Sequence, residues 1–288
     1  MIGRTMRRLN EMLDRGIDGT FQESDYDETE LSRLENKWKR FLADSSIARQ
    51  NLEKDKENIK SMVSDISHQT KTLVANLRLY SELLKESLEC PSQDEQSRER
   101  ARFLAKEIAK QAEKLEFLME ALTKMSRLET GLVAVQPEKR SVEPLLEQII
   151  AQIEPKAEKK GIEILWDKKQ AEEAQACYDL KWSTELMYNL ADNAVKYSEP
   201  GSRIKFYVNA YPMYTAVCVE DQGKGIPEEE IPKIFGRFYR GRDVQQQEGV
   251  GIGLYLAREI VRKQNGYIRV KSRMGKGSVF EVYFPSRR

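Results

Sequence analysis

Ser64-Asp65-Ile66-Ser67-His68-Gln69-Thr70-Lys71-Thr72 holds the only histidine of the 288-residue chain. The segment around it carries a seven-residue apolar repeat. Ile59, Ile66, Leu73 and Tyr80 form one column, and Val63, Thr70, Leu77 and Leu84 form a second. Two such columns make the seam of a coiled coil or four-helix bundle. His68 falls two positions after Ile66, away from that seam, so the spacing predicts a solvated imidazole. Asp65, Lys71 and Thr72, three or four residues away, share its face.

Upstream, Leu31, Trp38, Leu52, Ile59 and Ile66 keep one column, interrupted at Ser45. Its partner column sits three residues on at Leu34, Phe41 and Ala48 but four residues on by Val63. That shift reads as a stutter or as irregular packing. Earlier still, Met6, Leu9, Met12 and Leu13 have helical spacing among arginines. A turn-rich stretch follows, and Asp27-Glu28 reads as a helix start with an acidic first turn. Downstream, the long helix is expected to end near Leu88, before Cys90-Pro91-Ser92. A second helix runs from about Ser97 to Gly131, with Leu104, Ile108, Leu115, Leu118, Leu122 and Met125 on one stripe. Two antiparallel helices cannot bury both stripes alone, so the hairpin is expected to dimerise into a four-helix bundle.

From Val133 the pattern changes. It predicts helices at 141–160, 181–197 and from 252, and strands at 162–166, 203–210, 214–220, 267–272 and 278–284. The fold class is therefore α plus α/β multidomain. Residues 1–45 form an N-terminal helical linker, 46–131 the hairpin and 132–288 an α/β module.

Charged residues make up 33% of the chain and the formal net charge is +1, which gives no electrostatic case for nucleic acid or an anionic membrane as main partner. Cys90, Cys177 and Cys218 are scattered and odd in number, which argues against disulfides and zinc. No apolar run approaches the roughly 18 residues that span a bilayer.

Four short signals follow in order in the C-terminal half. In Glu185-Leu186-Met187-Tyr188-Asn189-Leu190-Ala191-Asp192-Asn193-Ala194-Val195-Lys196-Tyr197, a polar stripe of Glu185, Asn189, Asn193 and Lys196 runs along an apolar helix. Amide oxygens are hard ligands suited to Mg²⁺, and a lysine supplies charge to phosphate. Taken alone, the stripe reads as a solvent face. Asp221-Gln222-Gly223-Lys224-Gly225-Ile226-Pro227 follows a strand. An aspartate there can accept a hydrogen bond from an exocyclic amine, and the glycines let backbone approach a flat ligand. Ile234-Phe235-Gly236-Arg237-Phe238-Tyr239-Arg240 interleaves aromatics with arginines. Gly249-Val250-Gly251-Ile252-Gly253-Leu254 opens a helix whose N–H groups suit phosphate. The preceding strand is too distant for a Rossmann site.

In this order and spacing the signals resemble the N, G1, F and G2 boxes of the GHKL ATPases, the superfamily of sensor histidine kinases, DNA gyrase, Hsp90 and MutL. Gly275-Lys276-Gly277-Ser278 before the last strand extends the resemblance. With Ser67-His68-Gln69 on a helical hairpin, residues 60–286 resemble the cytosolic part of a two-component sensor histidine kinase. Residues before them resemble a degenerate HAMP-type linker. The resemblance implies a dimeric bundle followed by a Bergerat α/β sandwich with a mixed sheet.

It also implies ATP and Mg²⁺. Asn189 would hold the metal and Glu185 would orient water or metal. Asn193, Lys196 and Tyr197 would line the phosphate side, and Asp221 would read the adenine amine, with Gly223, Gly225 and Ile226 bounding the base. Residues from about 228 to 250 would form a lid carrying Phe238, with Arg237 or Arg240 reaching the phosphates. Gly249, Gly251 and Gly253, followed by Leu254, would hinge it. His68 would take the γ-phosphoryl group and pass it to a response-regulator receiver aspartate. The expected protein is a homodimer, a cytoplasmic fragment of a membrane-anchored sensor whose anchor lies upstream.

Two positions depart from the family pattern. Gln69 stands where a carboxylate commonly follows the phosphoacceptor. It cannot act as a base, although it can orient the imidazole through a hydrogen bond to Nδ1–H. Leu73 stands where H-x-x-[KR]-T-P places proline, which predicts a straighter helix below His68 and a lower kinase-to-phosphatase ratio. Thr72 matches the position that orients water for dephosphorylating the regulator. These departures motivate a second expectation, a kinase-impaired, phosphatase-biased dimeric scaffold. A conformational ATPase like Hsp90 or MutL would produce no phosphoprotein, and the placement of His68 argues against it.

Overall fold

The computed structural model describes residues 30–89, 95–129, 135–241 and 250–287. The expected N-terminal helix, the Asp27-Glu28 start, the Cys90-Pro91-Ser92 turn, Gly131 and Gly249 lie outside them. The chain divides into two units, Met1–Gln69 and Thr70–Arg288.

Helix α1, Glu30–Glu89, runs 60 residues without a break through Ser45 and the stutter region. In the first unit residues of both apolar columns stand uncovered within one chain, while Trp38 and Ile66 are half-buried. Phe41, Leu52, Ile59 and Val63 are each more than half exposed, and such a stripe marks a surface awaiting a partner. Trp38 packs edge-on against Phe41 with ring centroids 6.0 Å apart. His68 is exposed, as its offset from the seam dictates.

The second unit holds the end of α1, helix α2 (Glu95–Glu129) and the α/β module. The module runs β1 (Glu138–Ser141), α3 (Glu143–Lys159), β2 (Glu163–Trp166), α4 (Lys168–Glu173), β3 (Gln175–Tyr178), α5 (Leu180–Tyr197), β4 (Arg203–Ala210), β5 (Tyr214–Asp221), α6 (Gly253–Lys263), β6 (Tyr267–Arg273) and β7 (Gly277–Pro285). A five-stranded sheet has the order β2-β4-β5-β7-β6, parallel between β2 and β4 and antiparallel elsewhere, and β1 and β3 make a separate two-stranded ribbon. The mixed sheet is the expected one. The ribbon and α4 are additions to the elements that the sequence pattern predicts.

One face of the sheet supplies Ile204, Phe206, Val208, Val217, Val219, Phe280, Val282 and Phe284 to a core closed by α3, α5 and α6. The alternation along β4 follows from the two-residue period of a strand. Helix α5 lies between α3 and α6 and buries Trp182, Leu186, Met187, Leu190, Ala191, Ala194 and Val195. At roughly 1.5–3 kcal/mol per large apolar side chain, this is a large share of the module's gross hydrophobic stabilisation. Both ends of α5 are pinned. Asp179 caps its start by accepting from Trp182 N at 3.1 Å. Lys160 Nζ donates to the carbonyls of Val195 and Lys196 at 2.9 and 2.8 Å, where a cation complements the helix C-terminus. With the apolar face locked inward, the polar stripe has one direction left to face.

Among the described residues no helix covers the opposite face of the sheet. Its tyrosines cover it instead: Tyr267 and Tyr283 stack at 4.5 Å and 7°, with Tyr211 and Tyr214 packed against Tyr283. Beneath them, burial raises the Cys218 thiol to about 12.

Candidate nucleotide site

A cavity of about 730 Å³ opens where the polar stripe of α5, the end of β5 and the start of α6 converge. Asn189, Asn193, Lys196 and Tyr197 line it from α5. Asp221, Gly225 and Ile226 line it from the turn after β5, and Arg240, Gly251, Gly253 and Leu254 from the far side. Residues separated by most of the module thus share one space of nucleotide size.

Asp221, the last residue of β5, is buried. Its Oδ1 accepts from Gly223 N at 2.8 Å and Ser278 N at 3.2 Å. Burial pushes its carboxyl above the ordinary value, and the two backbone donors partly offset that. Both of these bonds go to Oδ1, which leaves Oδ2 to accept from a ligand amine. Gly225 has φ of +78°, and a Cβ there would strike the carbonyl oxygen of Arg273, so this close approach requires glycine.

Asn189 Nδ2 donates to the Glu185 carbonyl at 2.8 Å, which fixes the carboxamide. Its Oδ1 points toward Gly253, whose added Cβ would lie 2.7 Å away. That oxygen is a hard donor at the cavity wall and fits Mg²⁺, which takes few protein ligands and completes its shell with water and phosphate. Among the described residues no group of three or more His, Cys, Asp and Glu could hold a metal ion.

At the other end, Lys196 Nζ and Lys224 Nζ lie 4.9 and 5.8 Å from the Tyr197 ring. Burial raises the Tyr197 phenol, with the Arg240 charge opposing it. Of the two arginines expected to reach the phosphates, Arg240 lines the cavity. Arg237 stacks on Tyr255 at 4.8 Å and donates to its hydroxyl at 2.9 Å. Gly223 is not among the residues that line the cavity; its N–H donates to Asp221 Oδ1. Phe238 has φ of 58° and packs on a small apolar cluster with Leu73, Leu118, Ala121, Val250 and Ile252.

Glu185, one turn before Asn189, accepts from Lys124 Nζ of α2 at 2.8 Å. His68 and Gln69 lie on α1 in the first unit, and Thr72 lies on the part of α1 that belongs to the second. Motif reading did not single out Lys156, Tyr188, Asp192 or Phe117, which also line the cavity. Lys156 Nζ contacts Asp192 and donates to Tyr188 Oη at 2.7 Å. Tyr188 and Asp192 lie within the α5 motif but outside the stripe of Glu185, Asn189, Asn193 and Lys196. Lys156 and Phe117 carry no motif signal.

Comparison with known families agrees with this geometry. Residues 179–288 match the family described as histidine kinase-, DNA gyrase B- and HSP90-like ATPase. Residues 58–131 match the His Kinase A (phospho-acceptor) domain. The chain belongs to the two-component histidine kinases. Among curated relatives of this kinase chain, the sensor histidine kinase YvrG of Bacillus subtilis is 27% identical over 82% of the chain and 40% of its own length. The sensor protein SrrB of Staphylococcus aureus is 24% identical over 78% of the chain and 38% of its length. The chain therefore spans about two-fifths of the curated relatives it matches. The fold is also that of histidine kinase ThkA in a crystal structure with the response regulator protein TrrA. There the TM-score is 0.62 at 20% identity, covering 79% of this chain and 61% of that one. Acinetobacter baumannii histidine kinase AdeS gives a TM-score of 0.57 at 20% identity over 77% of this chain and 98% of that one.

Proposed function

We propose that this histidine kinase chain transfers the γ-phosphoryl group of ATP to His68 and then to an aspartate of a response-regulator receiver domain, acting as a homodimer. The observation that carries the reading is the pairing of a buried, backbone-held Asp221 with a fixed Asn189 carboxamide in one cavity, on a chain whose single histidine is exposed. Asp221 Oδ2 accepts from the adenine amine. Lys196 and Arg240 meet the phosphates, and Tyr197 and Ile226 wall the cavity. Asn189 Oδ1, with Glu185 one turn away, would hold Mg²⁺, which when bound neutralises charge on the phosphates. His68 attacks through the lone pair of neutral Nε2 while Nδ1 keeps its proton. A nitrogen–phosphorus bond forms and the bond from the γ-phosphorus to the ADP oxygen breaks. Receiver binding is suggested by the complex that the relative ThkA forms. Dimerisation through the hairpin is suggested by the uncovered apolar residues on α1 and the phospho-acceptor domain.

Incubation with γ-labelled ATP tests the reading. Label is expected on the wild-type chain and none on His68→Gln; label retained by that variant refutes it. A phosphatase-biased scaffold is the second reading. It is favoured by Leu73, which is buried in the cluster that also holds Val250 and Ile252. That reading expects weak labelling together with strong dephosphorylation of the receiver. Among the described residues no helix is long and apolar enough to cross a membrane, so the anchor expected upstream would lie outside them.

A further inference from the structure

Glu185 belongs to two arrangements at once. It sits one turn before Asn189 on the same face of α5, where a divalent cation beside Asn189 Oδ1 would attract its carboxylate. In this structure that carboxylate accepts from Lys124 Nζ of α2 at 2.8 Å, with both side chains more than half covered. Three residues before Lys124, Ala121 packs with Leu118 against Val250 and Ile252, which flank Gly251 in the segment opening α6. Phe117 of the same helix lines the nucleotide cavity. The ion pair and the apolar contact therefore seat α2 on the two sides of the site that hold metal and phosphate.

A doubly charged cation near Asn189 repels the Lys124 ammonium and competes for its carboxylate partner. From this geometry we infer that Lys124 is a positioning residue that makes hairpin docking and metal–nucleotide binding mutually antagonistic, with Glu185 as the shared group. The inference rests on the nucleotide reading above. Loading the site loosens α2 from α5 and from the segment before α6, which frees the module as it acquires its substrate. Linkage sets the converse: whatever weakens docking tightens metal–nucleotide binding by the same factor.

The test uses the whole chain and Mg-ADP, with ADP in EDTA as control. Lys124→Gln is expected to bind Mg-ADP about two- to fivefold more tightly than wild type, the range a partly exposed ion pair supports. Its affinity in EDTA should be unchanged, and Lys124→Arg should restore the wild-type value. In nucleotide-free protein, amide exchange at residues 250–257 should rise in Lys124→Gln and stay low in Lys124→Arg. Equal or weaker Mg-ADP affinity in Lys124→Gln overturns the inference alone. An equal gain in EDTA also overturns it, because the effect would then not act through the metal. Absence of ADP binding by every variant overturns it together with the nucleotide reading.

Discussion

Replacing Gly253 by alanine separates site geometry from fold stability. The new Cβ would lie 2.7 Å from Asn189 Oδ1, whereas ordinary van der Waals contact begins at 3.4 Å. The carboxamide must therefore retreat by about 0.7 Å, the difference of those two distances. Retreat breaks or bends the bond from Nδ2 to the Glu185 carbonyl, a net loss of about 1 kcal/mol. It also moves the oxygen that would face the metal. That displacement of the ligand oxygen corresponds to roughly 1–2 kcal/mol in binding, or about five- to thirtyfold in the dissociation constant of Mg-ADP. Fold stability should move little, because the advantage of alanine as a helix former at the first residue of α6, up to about 1 kcal/mol, offsets the weakened bond. Titration calorimetry with Mg-ADP and a thermal melt of the same preparation read the two effects apart. An alanine variant with wild-type affinity and an unchanged melt would refute the claim that Asn189 Oδ1 is a working ligand.

Other outcomes follow from the same structure. Asp221 has its carboxyl raised by burial, so its folded form holds the proton more tightly than the unfolded chain does. Its contribution to stability is therefore greatest below the ordinary value of 3.8 and is lost as pH rises through the raised value. In urea denaturation across that window, Asp221→Asn should lose this component, while binding ADP more weakly; a variant with wild-type pH dependence would count against the burial argument. Leu73→Pro removes one hydrogen bond inside α1 at a cost of roughly 3 kcal/mol and takes a buried side chain from the cluster with Leu118. It should raise the ratio of autophosphorylation to receiver dephosphorylation, and equal ratios in the two proteins would discard the idea. Cys218, buried with its thiol raised to about 12, should resist alkylation at pH 8 in the folded protein and react after unfolding; rapid labelling of the native chain would contradict the packing.

The elements that sequence makes legible are those with a long, repeated pattern. The column through Ile59 and Ile66 predicts α1 and the outward His68. The alternation Ile204, Phe206, Val208 predicts β4 with its ends at 203 and 210. The ribbon escapes for a physical reason. Strand β1 reads Glu-Lys-Arg-Ser and β3 only Gln-Ala-Cys-Tyr. Four residues with no alternation are a strand only because each supplies the other's hydrogen bonds. Helix α4 is six mostly polar residues, started by an Asp167 cap onto Gln170 N at 3.1 Å. In the site, short-range spacing exposes the α5 stripe and the glycines. The Lys124–Glu185 pair spans 61 residues and the Asp221–Ser278 bond 57. No local period encodes such meetings, because they are decided by how the layers close.

The main core is built from residues between Val142 and Phe284, whereas the α2 contact with Val250 and Ile252 forms a cluster of its own. Parting α2 from the α/β module therefore uncovers a handful of side chains and leaves the interior beneath α5 dry and intact. The molecule can change its internal partners as a hand leaves a rail, without any element having to melt and form again.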